Sequence, residues 1–209
     1  MLILASASPR RRELLAQAGY SFQVFPAHIP EDPFPNEDPI AYVTRLACEK
    51  AQTVFRELSL RTQDVEPLSE STAKFDNPAI LDTSESLTVL GADTSVTLDE
   101  HILGKPSDPA DAARMLRLLS GRTHRVITGI AVVTATSTQA AAEVTAVCFR
   151  TLSGEEIAAY VASGEPMDKA GAYAIQGRAA RWIPRIEGCY FNVVGLPIAL
   201  VSSLLDGSR

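Results

Sequence analysis

The feature that most constrains the fold stands at the start of the chain. Four apolar residues, Leu2-Ile3-Leu4-Ala5, run into Ser6-Ala7-Ser8-Pro9-Arg10-Arg11-Arg12 and then Glu13-Leu14-Leu15-Ala16-Gln17-Ala18-Gly19. The apolar run reads as a short buried strand and the remainder as a helix. Ser8 suits the N-cap, Pro9 the first helical position, and Gly19 the left-handed residue that ends a helix. The arginines then fall in the first turn, where unpaired N–H groups and the macrodipole already place about half a positive charge. Either an anion such as phosphate is held there, or the three guanidinium groups are solvated and tolerate a small repulsion.

The rest of the chain continues the alternation of strand and helix. Phe22-Gln23-Val24-Phe25 predicts a strand, followed by a proline-punctuated loop from Pro26 to Pro39 that contains Glu31 and Asp32. Asp38-Pro39 starts a helix through Val43, Leu46, Ala47, Ala51, Val54 and Leu58. From about residue 61 to 86 the sequence is polar, with sparse apolar residues, and reads as an irregular insertion. Leu87 to Leu90 predicts a strand ending at Gly91-Ala92-Asp93-Thr94, and Ser95–Leu98 with Ile102-Leu103 a hairpin turned at Asp99-Glu100. Asp108-Pro109 caps a third helix. Arg125–Ala135 and Ala142–Leu152 predict a long hairpin, Ser153 to Glu156 a capping box, and Pro197 the start of a final helix. The class is α/β or mixed α+β: a central mixed sheet with flanking helices, expected as a single domain over residues 1–209.

Composition narrows the partners. A net charge of −6 speaks against a general nucleic-acid or membrane-surface binder, so an anionic ligand would have to be held by local cations. No stretch approaches the roughly 18 apolar residues of a membrane span. Leu2–Ala5 is too short for a signal-peptide core, and its basic residues follow it, which predicts a cytoplasmic protein. Cys48, Cys148 and Cys189 lack disulfide or zinc spacing and are expected as small buried hydrophobes.

Several residues stand out for chemistry. Lys50 falls in the apolar stripe of its helix, where a lysine must snorkel, lose its charge or meet an anion. Asp93, flanked by small residues, sits where α/β sheets place metal-binding or general-base carboxylates, although a turn-starting Asp looks the same in sequence. Glu31 offers a second oxygen ligand, or is solvated with its loop. Lys105, in Gly104-Lys105-Pro106, is a phosphate-neutralising charge or an ordinary surface lysine. Gln176 has the paired donor and acceptor to read a base edge, and Tyr173 could stack on a base; each is equally a structural group. His28, His101 and His124 show no partner spacing.

Taken in order, the segments resemble one family. Leu4-Ala5-Ser6-Ala7-Ser8-Pro9-Arg10-Arg11, Arg45-Leu46-Ala47-Cys48-Glu49-Lys50-Ala51, Gly91-Ala92-Asp93-Thr94, Gly104-Lys105-Pro106 and Asp168-Lys169-Ala170-Gly171-Ala172-Tyr173-Ala174-Ile175-Gln176-Gly177 resemble the Maf nucleoside triphosphate pyrophosphatases, and Val194-Gly195-Leu196-Pro197 also matches. The resemblance implies an inosine-triphosphatase-like fold with a central cleft and hydrolysis of a nucleoside triphosphate to monophosphate and diphosphate with a divalent metal, usually Mg²⁺. It makes Asp93 the proton acceptor, Ser8 and Arg11 phosphate ligands, Lys50 and Lys105 neutralising charges, and Glu31 a metal ligand alongside Asp93. Arg10, Thr94 and Gln176 match the dTTP/UTP branch; the 7-methyl-GTP branch has Trp, Gln and Glu at those places. A non-catalytic nucleotide-binding regulator of septum formation is the alternative from another class, against which the base and metal ligands speak. The connection from the Lys50 helix to the Asp93 strand is longer than the family pattern, away from every motif. Whether the chain forms a homodimer is left open by the sequence.

Overall fold

The opening motif folds as its residues dictate. Strand β1 is Leu2–Leu4 and helix α1 is Pro9–Gln17; the Ser8 hydroxyl accepts from the Arg11 N–H, and Gly19 takes a φ of 83°. In this computed structural model, residues 1–63, 87–99 and 101–207 are described. Strand β2, Gln23–Val24, is shorter than its alternating pattern predicted and lies parallel to β1. Helix α2 runs from Pro39 to Gln63, with Asp38 Oδ1 accepting from the N–H groups of Ile40 and Ala41. It thus extends past residue 61, and the remainder of the expected insertion lies outside the described residues.

Strand β3, Thr88–Leu98, corrects one expectation. It does not end before Asp93 but carries that residue in its middle. It turns into β4, His101–Leu103, with Leu98 opposite His101. Glu100, which the expected turn includes, lies outside the described residues. Helix α3 (Pro109–Leu119) starts at the Asp108 cap and buries Ala112, Met115, Leu116 and Leu119. Strands β5 (Thr123–Val133) and β6 (Thr138–Cys148) form the long hairpin, with the second strand beginning four residues earlier than the apolar pattern indicated. A turn closed by hydrogen bonding between Thr134 and Ser137 draws Thr138–Ala141 into the ladder. Helix α4 (Gly154–Ala162) has the full capping box of Ser153 and Glu156. Three 3₁₀ turns, Glu165–Asp168, Ala170–Ala172 and Arg178–Trp182, lead to β7 (Arg185–Glu187), α5 (Tyr190–Val194) and α6 (Ile198–Gly207).

The strands order as β2-β1-β3-β5-β6-β7, with β4 also on β3. Alternation along β3 sends Val89 and Gly91 toward α2 and Leu90 and Ala92 toward the apolar faces of α1 and α6. Helix α2 lies unusually close: a Cβ on Gly91 would sit 2.1 Å from the Ala47 carbonyl oxygen, and one on Gly129 2.3 Å from that of Val43. A second apolar cluster joins the far end of the sheet to α3, α4 and the buried Trp182. The three cysteines are free but only half-buried, less enclosed than expected; Cys48 packs at the margin of the cluster between α2 and the sheet.

Candidate active site

The site arises from a break in strand pairing. Strand β5 occupies one edge of β3 from Val89 to Thr97. On the other edge β1 pairs with Thr88–Leu90 and β4 with Val96–Leu98, so among the described residues no strand covers Gly91 to Ser95 there. A cleft of about 910 Å³ opens at this gap, lined by the end of β1, the start of α1, the Glu31 loop, the middle of β3 and the segment from Asp168 to Gln176.

Asp93 faces α2 and meets Lys50. The ammonium donates to Asp93 Oδ1 at 2.7 Å and pairs with Glu31 Oε1 at 2.6 Å. Lys50 is 7% exposed and Asp93 8%, so the lysine in an apolar stripe meets anions instead of snorkelling. Burial pushes the Glu31 carboxyl up, but the hydrogen bond and charge of Lys50, aided by the charges of Lys105 and Arg11, outweigh it and hold the group below the ordinary carboxylate value. The Glu31 loop is pinned from α2. Tyr42 Oη donates to the Glu31 carbonyl at 2.7 Å, and burial together with the Asp93 and Glu31 charges pushes its phenol up to about 12. Arg45 donates to both Glu37 carboxylate oxygens at 2.7 and 2.8 Å and to the Asp32 carbonyl at 3.2 Å, and stacks 4.1 Å from the Phe34 ring centroid.

The arginine triplet divides. Arg11 reaches across the gap: Nε donates to the Gly195 carbonyl at 2.9 Å, Nη1 to the Ala92 carbonyl at 2.7 Å and to Ser6 Oγ at 3.2 Å, and Nη2 to Thr94 Oγ1 at 2.9 Å. Four of its five N–H donors are committed to the protein, leaving one on Nη2. Its burial lowers the guanidinium pKa, against the pull of Asp93 and Glu31. Ser8 and Arg10 line the cleft, and the Arg10 charge is felt at Asp168 and at the Tyr160 hydroxyl. Arg12 is exposed and outside the cleft.

Lys105 and Gln176 are exposed at the cleft wall. Thr94 lies on the opposite sheet face from Asp93, its hydroxyl 2.9 Å from Thr128 Oγ1. Tyr173 follows the core reading. Its hydroxyl lies 2.7 Å from His124 Nε2, and its ring packs edge-on against His124 and Phe149.

A family model described as Maf-like protein matches residues 1–208. The chain belongs to the Maf family. Curated relatives span almost all of it: a dTTP/UTP pyrophosphatase of Koribacter versatilis is 48% identical over 98% of this chain and 92% of its own length. One of Moorella thermoacetica is 48% identical over 98% and 93%, and one of Shigella dysenteriae 45% identical over 98% and 91%. No described helix is long and apolar enough to cross a membrane.

The Maf cleft is nearly balanced in charge. Arg10, Arg11, Lys50, Lys105 and Lys169 face Glu13, Glu31, Asp93 and Asp168 along its walls. Asp93 and Glu31, both within hydrogen-bond distance of one ammonium, are a pair of hard oxygen donors of the kind that could hold a divalent cation. Among the described residues no three His, Cys, Asp or Glu gather into a group that could hold a metal ion. Four residues of the cleft and its supports carry no individual role in the sequence reading, although three of them stand in segments it names: Tyr42, Arg45, Ser95 and Lys169. Lys169 is buried and pairs with Asp168, and Ser95 Oγ is buried without a hydrogen-bond partner among the described residues. The Arg45–Glu49 spacing of four was visible as a helix pair; the reach of Arg45 to Glu37 was not.

Proposed function

We propose that the chain is a nucleoside triphosphate pyrophosphatase that hydrolyses dTTP and UTP to the monophosphate and diphosphate, in the cytoplasm and with Mg²⁺. The observation that carries this reading is the Asp93–Lys50–Glu31 cluster at the strand gap, in a chain 45–48% identical to dTTP/UTP pyrophosphatases along nearly its whole length.

On this reading Lys50 holds Asp93 Oδ1, leaving Oδ2 to orient a water and take its proton. The water oxygen forms a bond to the α-phosphorus as the α–β anhydride bond breaks, and the bridging oxygen leaves on pyrophosphate with the bonding electrons. Lys105, Ser8 and the remaining Arg11 donor face the phosphates, and Arg10 and Gln176 face the base. Glu31 and Asp93 would hold the metal, which when bound supplies charge neutralisation that the nearly balanced cleft lacks.

Incubation with separate triphosphates, with and without Mg²⁺, followed by resolution of the products tests the reading. Pyrophosphate and monophosphate from dTTP and UTP are expected. Release of orthophosphate and a nucleoside diphosphate, or preference for 7-methyl-GTP, overturns it. Asp93→Asn should still bind nucleotide while losing at least about a hundredfold in kcat.

A further inference from the structure

The base-facing Gln176 sits on a loop that one carboxylate appears at twice, from both ends. Ala174 to Gly177 is a turn closed by the Gly177 N–H donating to the Ala174 carbonyl at 3.1 Å. Glu165, which follows α4 and opens the first 3₁₀ turn, lies against this loop. Its Oε1 and Oε2 accept from the Arg178 N–H at 3.0 and 3.3 Å, fixing the far end. Its Oε1 also accepts from the Tyr160 hydroxyl at 3.0 Å, and Tyr160 Oη accepts from the Ala174 N–H at 3.3 Å, fixing the near end. Tyr160 is itself immobile: 1% exposed, with its ring packed edge-on at 4.9 Å from Trp182. The carboxylate so closely abuts the loop that a Cβ on Gly177 would stand 1.7 Å from Glu165 Oε1. The Gln176 side chain, at the tip, makes no hydrogen bond to another described residue and is presented to the cleft beside Arg10.

We infer that Glu165, through Tyr160, is a positioning residue for base selection: it holds the Gln176 loop in the conformation that presents the amide to a pyrimidine edge. Ile175 is anchored in the apolar cluster beneath α1 and α6, so the loop is held from below by packing and from the side by Glu165. A flexible glutamine on a free loop would discriminate poorly, because ordering it would offset the hydrogen bonds it makes. Neither Glu165 nor Tyr160 lines the cleft, so their effect falls on recognition and not on the chemical step.

This inference rests on the dTTP/UTP reading, and the test separates the two. kcat and KM for dTTP, UTP and dGTP are measured in the wild type, Tyr160→Phe, Glu165→Ala, Glu165→Gln and Gln176→Ala, and in the double variant of Glu165→Ala with Gln176→Ala. Tyr160→Phe keeps the ring packing, so it remains informative if Glu165→Ala fails to fold. A rise of about fivefold in KM for dTTP and UTP, the size of one lost hydrogen bond, is expected for Tyr160→Phe, with kcat within about twofold and dTTP-over-dGTP selectivity reduced. Glu165→Gln, which retains an acceptor oxygen, should recover part of the loss seen in Glu165→Ala. In the Gln176→Ala background, Glu165→Ala should change selectivity no further. If Gln176→Ala loses selectivity while Tyr160→Phe and Glu165→Ala keep it, or if the Glu165 and Gln176 effects simply add, the positioning role falls and the substrate reading stands. If the wild type fails to turn over dTTP and UTP, both fall.

Discussion

Lys50 is the side chain on which its neighbours depend. It is the shared partner of Asp93 and Glu31, and removing it leaves the buried Asp93 carboxylate facing the half-exposed Glu31 carboxylate without a neutralising charge. Lys50→Met is expected to lower stability by about 3 kcal/mol in urea titrations and to abolish turnover, whereas Glu31→Gln, at a half-exposed position, should cost much less stability. Its identity as an anomaly was legible in the sequence, since a lysine in an apolar stripe demands an explanation. Which explanation held was not legible, because Asp93 and Glu31 reach it from 43 residues downstream and 19 upstream. His124 presents the opposite case, with no readable sequence signal. Burial holds its imidazole neutral, with a pKa lowered to about 4. An unfolded histidine titrates near 6.5, so between pH 6.5 and 4 the unfolded chain binds the extra proton and stability falls as pH falls. About 3 kcal/mol, fully present above pH 6.5, should be lost by pH 4, and the difference between wild-type and His124→Gln unfolding profiles should carry that slope.

At the scale of elements, the site is a matter of how closely α2 lies on the sheet. Gly91 and Gly129 leave room for the helix backbone, and Gly129 is the ladder partner of Asp93. Gly129→Ala would push Val43 outward and carry Lys50 away from the carboxylate. A loss of about 2 kcal/mol in chemical unfolding and a reduced kcat, with the fold retained, are the expected result. Helices α1, α3 and α4 were legible at their starts because Ser8, Asp108 and Ser153 accept hydrogen bonds within their own first turns, a relation local in sequence. Strand limits were less legible. Asp93 interrupts an apolar run and so resembles a strand end, yet the ladder with β5 continues through it, since backbone pairing is indifferent to the side chain that Lys50 neutralises. The gap between β1 and β4 that creates the cleft depends on register alone, which no residue in Gly91–Ser95 announces.

Over the whole molecule, an acidic chain of net charge −6 must attract a polyanion to a cleft whose own charges almost cancel. Attraction is then short in range and easily screened. Raising ionic strength toward 0.5 M should raise KM for dTTP several-fold while leaving kcat little changed at saturating Mg²⁺, measurable in initial-rate assays, because the Debye length falls from about 10 Å at 0.1 M to a few ångströms. The tie between Arg11 Nε and the Gly195 carbonyl spans 184 residues of sequence, and that same guanidinium also braces Ala92 and Thr94. A nascent chain leaving the ribosome therefore displays Ser8, Glu31 and Lys50 long before they have anything to act with. Chains that end before Gly195 lack that brace on Arg11 and are expected to show no dTTP turnover in initial-rate assays.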